Sequence, residues 1–250
     1  KTTACIQKSL KVYGSWDLFH DTDILFSLGK GSFLNDNFLG NEIKKIIPVG
    51  SLSLEQYWSK KAKVKTLNFD VVNLGCNILS NFEDILKDKN FKNEYYEQFN
   101  WMVKLSKKFT QLKIGIKHHA NLKLHDEKEI KIIKNSRVER IVKDNSKDIN
   151  RSYNIAIQSK FACTWCSITA YELLSLGKPC FFLDPNGTNE SFFQKDKAND
   201  SWRIKTYEEF EKKVVESVYE NKIIKINNSD YFCLDSNNVS NKIIHELINF

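Results

Sequence analysis

The chain has 250 residues, of which 41% are hydrophobic and 12% aromatic, enough apolar mass for one large or two modest packed domains and too much for a globally disordered chain. A formal net charge of +7 points to anionic partners such as nucleotides, phosphorylated lipids or an acidic polymer. Nine Gly and three Pro exclude collagen-like or linker-dominated architecture, and no apolar run approaches the roughly 20 residues of a bilayer-spanning helix.

Asp23 to Gly29 (DILFSLG) reads as a strand ending in a glycine turn. Glu42 to Gly50 (EIKKIIPVG) is a short element leading to a strand, and Ser51 to Trp58 (SLSLEQYW) a short helix. Lys60 to Lys65 is the densest basic run; it reads as a solvated connector, with contact to an anionic membrane surface as the alternative. This divides the chain into a first piece at 1–58, a linker at 59–67 and a second unit at 68–250.

The second unit opens with Asn68 to Gly75 (NFDVVNLG), a strand again closed by Gly. Glu94 to Phe109 is the clearest helix, with Tyr95, Phe99, Met102, Leu105 and Phe109 on one face. Leu112 to Lys117 is the next strand, followed by His118 and His119; Arg137 to Val142 is another, and Asn150 to Ile157 a short helix. Lys160 to Asn186 reads as strand, polar turn, short helix, Gly turn and strand, with Gly177 as the left-handed helix stop and Pro179 preventing continuation. Thr206-Tyr207-Glu208-Glu209 is a capping box opening a helix that buries Tyr207, Phe210, Val214 and Val218. Val239, Ile243, Ile244, Leu247 and Ile248 lie roughly on one face of a terminal helix. Strands alternating with helices from residue 68 onward call for an α/β fold, a parallel sheet with helices on both faces.

Ligands of open parallel sheets bind at the carboxyl ends of the strands, so the polar residues there are the candidates. They are Gly75 and Asn77; Lys117, His118 and His119; Thr164 to Ser167; and Asp184 and Asn186. Ser167 and Thr169 stand at a helix start, where free N–H groups and the positive dipole end suit a phosphate, and Glu172 lies on that helix. Lys and His supply positive charge, while Asn and Asp can address ribose or sugar hydroxyls, a combination that fits a nucleotide diphosphate. Each also has a plain reading. Adjacent His residues on a strand point to opposite faces, so at most one meets a given ligand, and Glu172 could be an exposed helix residue.

The six Cys are irregularly spaced and read as reduced thiols. Cys163 and Cys166 have CxxC spacing, but no second pair stands at zinc-finger distance, and no metal site is expected. There is no GxGxxG, nucleophile elbow or HExxH, and Lys30-Gly31-Ser32 lacks the Walker spacing. The basic residues are not interleaved with aromatics on one element, which argues against nucleic acid.

Ser167-Ile168-Thr169-Ala170-Tyr171-Glu172, then Leu176-Gly177-Lys178-Pro179, an apolar strand and Asp184-Pro185-Asn186, resembles the donor-binding half of GT-B glycosyltransferases. More narrowly it is similar to bacterial surface-carbohydrate and capsule biosynthesis proteins, with teichoic-acid glycerophosphotransferases and sugar-nucleotide 2-epimerases as wider neighbours. Asp23 to Gly29, Ile47 to Ser51 (IPVGS), Ile116 to His119 (IKHH) and Asn186 to Phe193 (NGTNESFF) add to the resemblance, which covers roughly residues 20 to 215. It implies two Rossmann-like domains facing across a cleft, with 1–58 the tail of the acceptor-side domain and 68–250 the nucleotide-sugar domain with its C-terminal helix. It also implies that Ser167 and Thr169 meet the donor phosphates, Glu172 holds ribose or a sugar hydroxyl, and His118 with Lys117 sits by the phosphate and leaving group. Asn186 and Asn189 would line the sugar pocket, Gly75, Asn77 and Asp184 would be donor-side, and His118 and Glu172 are the catalytic candidates.

The implied activity is metal-independent transfer of a sugar from a nucleotide-sugar donor to a bacterial surface polysaccharide or lipid-linked glycan, with no cofactor. The expected place is the cytoplasm, peripheral at the inner face of the membrane. The alternatives are polyol-phosphate transfer from a CDP-glycerol-type donor, sugar-nucleotide 2-epimerisation, and a non-catalytic binding module of a capsule assembly complex. Only part of an N-terminal domain is recognisable, and Lys1 to Cys5 read as mid-domain sequence without the apolar core of a signal peptide, so a piece of a larger protein is expected. His20 with Asp21 and Asp23 reads as a remnant of the acceptor side or as plain surface.

Overall fold

The computed structural model describes residues 2–6, 21–30, 42–59, 68–75, 89–118, 127–141, 151–165, 167–187, 201–227 and 229–250. Strands β1 (Ala4–Ile6), β2 (Asp21–Ser27) and β3 (Glu42–Pro48) form one sheet in that order. Strands β4 (Val71–Leu74), β5 (Ile114–Lys117), β6 (Glu139–Ile141), β7 (Phe161–Thr164), β8 (Cys180–Leu183) and β9 (Arg203–Ile204) form a second, six-stranded sheet in the order β6-β5-β4-β7-β8-β9. Every ladder among the described residues is parallel.

The helices are α1 (Leu52–Ser59), α2 (Lys89–Lys108), α3 (Glu127–Ile133), α4 (Arg151–Gln158), α5 (Ile168–Ser175), α6 (Tyr207–Val218), α7 (Ser229–Phe232) and α8 (Val239–Ile248). The expected α/β class with parallel Rossmann-like sheets is the observed one.

Strands β4, β5, β7 and β8 are buried along their whole length, which is why their sequences are nearly continuous apolar runs rather than alternating ones. Successive strand residues face opposite sides. Phe181 stacks on Phe161 (ring centroids 5.2 Å apart), which meets Phe210 of α6, and Phe210 in turn stacks on Trp101 of α2. Phe182 meets Tyr171 of α5 instead. Helices therefore cover both faces. Helix α2 starts at Lys89, earlier than its apolar periodicity suggests, and buries Tyr95, Phe99, Met102 and Leu105 as that periodicity predicts.

The strand order reverses direction between β4 and β7, where successive connections leave to opposite sides and open a crevice at the carboxyl ends. Thr164 Oγ donates to the Leu74 carbonyl at 2.6 Å and ties the two strands there.

After α6 the chain crosses back to the first sheet. The Leu234 amide donates to the Leu28 carbonyl at 2.8 Å, and the Ser51 amide donates to Ser236 Oγ at 2.9 Å. Val239 and Ile243 of α8 are buried with Ile24, Phe26 and Val49. Sequence order puts α8 in the 68–250 unit, but its packing puts it on β2 and β3, because the apolar face of β2 needs cover and α8 supplies it. Only part of the predicted face of α8 is used: Ile244, Leu247 and Ile248 stay exposed. No helix among the described residues is long and apolar enough to cross a membrane.

The crossover leaves no room at Gly29, where a Cβ would lie 2.6 Å from the Tyr231 carbonyl oxygen and 2.7 Å from the Phe232 backbone. Gly29→Ala is expected to lower stability by about 2–3 kcal/mol, the scale of overpacking a rigid core, read from the urea midpoint at an unchanged m-value.

Candidate functional site

Helix α5 begins at the carboxyl end of β7, at the crevice. Ser167 caps it from an extended backbone (φ −146°, ψ 134°), its Oγ accepting from the Thr169 amide at 3.3 Å. Glu172, one turn further, is not the exposed residue of the plain reading; it is 2% exposed. Its carboxyl accepts from Ser51 Oγ on one oxygen and from the Tyr153 hydroxyl of α4, at 2.7 Å, on the other. Ser51 also caps α1, accepting from the Leu54 amide at 3.2 Å. Cys233 lies beside this group, its Sγ 3.7 Å from Ser236 Oγ. One carboxyl thus joins the turn after β3 to helix α4, and Ser51 in turn ties that turn to Ser236 of the returning C-terminal segment.

Burial pushes the Glu172 carboxyl up from 4.5 to about 7, and the two donors offset only part of that. Burial and the neighbouring carboxyl push the Tyr153 hydroxyl far up, and burial raises the Cys233 thiol to about 11.

A second cluster forms at the ends of β5 and β6. Lys117 is buried, its Nζ donating to the His118 carbonyl at 2.7 Å. His118 Nε2 lies 2.9 Å from Oε1 of Glu129 on α3, and Arg140 Nε of β6 lies 3.8 Å from the same oxygen. A third cluster closes β8: Asp184 is fully buried and paired with the Arg203 guanidinium of β9, while its carbonyl accepts from the Gly187 amide at 2.9 Å. The Gly75 amide donates to the Lys117 carbonyl at 2.7 Å.

Asn77, His119, Cys166, Asn189 and His20 lie outside the described residues, as do the side chains of Asn186 and Asp21. Asn186 itself falls in the 3-10 turn Pro185–Gly187. Cys163 is buried in β7 with its thiol pushed well above the ordinary value by burial, which makes it unreactive. No group of three metal-binding side chains occurs among the described residues.

No protein-family model matches the chain, and no curated protein matches it. Solved structures do. The S. aureus MnaA–UDP structure matches over 98% of this chain and 68% of its own, with a TM-score of 0.65 at 15% identity. UDP-GlcNAc 2-epimerase from Neisseria meningitidis, bound to UDP-GlcNAc, matches over 99% of this chain and 70% of its own, with a TM-score of 0.61 at 14% identity. The fold is of the GT-B and epimerase type. This chain spans about two thirds of the length of those proteins.

Along the carboxyl edge of this GT-B-type sheet the three clusters follow one another: Glu129 with His118 and Arg140, Glu172 with Ser51 and Tyr153, and Asp184 with Arg203. Each holds a buried acid against donors or cations, as burial of a carboxylate demands. Sequence reasoning picked His118, Glu172 and Asp184 from their strand-end and helix positions. It named Ser51 only as the end of the IPVGS stretch and the first residue of a short helix, and it missed Glu129, Arg140, Tyr153 and Arg203, whose sequence signal is a polar residue beside an apolar run.

Glu172 carries a pH signature. Its folded value of about 7 lies above its ordinary 4.5, so the folded state keeps a proton that the unfolded chain releases between those values. That contribution is fully present below about 4.5 and is lost as pH rises through 7. It amounts to about 3 kcal/mol if the whole shift is expressed. Glu172→Gln is therefore expected to flatten the fall in stability between pH 5 and 8, and urea titrations of both proteins across that range check it.

Proposed function

We propose that this chain binds a uridine diphosphate sugar at the crevice between β4 and β7, and that the protein acts on the sugar in the manner of a 2-epimerase. The observation that supports this reading is the two-sheet arrangement shared, over nearly the whole chain, with structures that hold UDP and UDP-GlcNAc. The open strand ends agree with it chemically. In this reading the start of α5, with Ser167 and Thr169, receives the diphosphate. Lys117 and His118 offset its charge from the end of β5. Glu172 takes a ribose hydroxyl in exchange for Ser51, whose hydroxyl already shows that the carboxyl accepts such a donor. Gly75, Asn77, Asp184, Asn186 and Asn189 line the sugar side. The nucleotide sugar is the substrate, and no cofactor enters the scheme.

A second reading, transfer of the sugar to a surface polysaccharide or lipid-linked glycan, is favoured by the motif from Ser167 to Pro179, which glycosyltransferases of this fold resemble. The products separate the two: the C2 epimer of the sugar forms without an acceptor in the first, and UDP is released only with a glycan acceptor in the second.

Calorimetric titration with UDP, UDP-GlcNAc, CDP, CMP and GDP tests the binding site itself. Saturable heat with UDP and UDP-GlcNAc is expected, weakened about tenfold or more in Glu172→Gln, the scale of a hydrogen bond to a charged group. A flat response to every nucleotide would sink the proposal for this chain.

A further inference from the structure

Resting on the reading that Glu172 takes a ribose hydroxyl, we propose that the hydrogen bond from Ser51 to Glu172 is an autoinhibitory latch: Ser51 holds the carboxyl oxygen that the nucleotide needs, and binding displaces it. Glu172 is buried, and both of its oxygens are taken. Ser51 Oγ donates to Oε1, and the Tyr153 hydroxyl donates to Oε2 at 2.7 Å. Closed in this way, the carboxyl meets a ribose hydroxyl only where one of the two donors gives way.

The two donors are not equally free to leave. Tyr153 is buried in the main hydrophobic core, its ring centroid 5.0 Å from that of Tyr57. Its hydroxyl cannot leave Oε2 unless the whole packed ring shifts. Ser51 carries its hydroxyl on one side-chain torsion, so it leaves Oε1 by turning the O–H or by a change of rotamer. Its backbone stays in place meanwhile: the amide donates to Ser236 Oγ at 2.9 Å, and the carbonyl accepts from the Glu55 amide at 3.0 Å. Oε1 is therefore the oxygen given up, and Oε2 the one by which Tyr153 keeps Glu172 in position.

Ser51 stands where the chain passes between the two hydrophobic cores: Val49 belongs to the one that holds β2 and α8, and Leu54 to the main one. Ser51 Oγ accepts from the Leu54 amide at 3.2 Å while it donates to Glu172, so its one hydrogen is committed to the latch. The returning C-terminal chain keeps it there. Ser236 Oγ holds the Ser51 amide and would lie 2.8 Å from a Cβ at Gly50. A nucleotide that opens the latch thus loosens the tie between α5 and the turn after β3.

The test is calorimetric titration of the whole chain with UDP at about pH 8.5. There Glu172, at about 7, is ionised. Tyr153 and Cys233, the titratable groups that face it among the described residues, keep their protons, because burial holds the Tyr153 hydroxyl far up and the Cys233 thiol at about 11. Ser51→Gly removes the hydroxyl and leaves a residue that helix starts accept. It is expected to bind UDP about three- to tenfold more tightly than wild type, the scale of one net hydrogen bond. Ser51→Ala is the second variant and should show the same gain. In Glu172→Leu there is no carboxyl to guard, so adding Ser51→Gly should change the affinity by less than about twofold.

Unchanged or weaker binding in both Ser51 variants, beside a wild type that binds UDP, overturns the latch and leaves the proposed function standing. A gain that persists in Glu172→Leu overturns it as well, since Ser51 would then be guarding something other than the carboxyl. A flat titration in wild type and variants alike counts against the nucleotide reading itself, and the latch falls with it.

Discussion

A carboxyl group at the junction of the two sheets has to be held by donors from more than one segment, and much of the molecule is arranged around that need. Glu172 is brought there by α5 and receives one hydrogen bond from Ser51, which belongs to the first sheet's connection, and one from Tyr153 of α4. Ser51 is itself pinned by the returning chain through Ser236. That return depends on Gly29, where backbone meets backbone, and on Gly50, whose positive φ of 102° turns β3 into α1. Losing any one of these contacts would leave a buried acid with too few partners.

The same constraint repeats along the carboxyl edge. Asp184 is paired with Arg203 of the next strand, and Glu129 lies beside His118 and Arg140. The edge that a parallel sheet offers to ligands is here already organised by internal pairs. On the proposed reading, a nucleotide at this edge would exchange one hydrogen-bond partner for another. At Glu172 that exchange would release Ser51, so ligand binding and the contact between the two sheets would compete for one carboxyl.

Much of the second sheet is legible in the amino-acid order, because a strand buried on both faces must be written as an apolar run and its helices as amphipathic ones. Phe161 to Thr164 and Cys180 to Leu183 are such runs, and Gly177 with Pro179 marks the turn between α5 and β8. Half of the capping box at Thr206 forms as its spacing requires, Thr206 Oγ accepting from the Glu209 amide at 3.2 Å, while the Glu209 carboxylate accepts from the Lys205 amide, one residue before the cap, at 3.2 Å. The fate of the terminal helix is not legible. Its apolar face announces that something must be covered, but nothing in the pattern tells β2 of the first sheet from any strand of the second.

Residue types and spacing by themselves determined the class of the fold, the strand ends at which polar groups gather, and the choice of His118, Glu172 and Asp184 as groups worth watching. Only the tertiary structure decided what those groups touch. Ser51 and Glu172 are separated by 121 residues and Tyr153 and Glu172 by 19, and no periodicity links such positions. The physical reason is that helix and strand patterns report burial of apolar surface, which is local and repetitive. The pairing of a buried charge is a single long-range event, settled when the two sheets and the returning C-terminal chain come together.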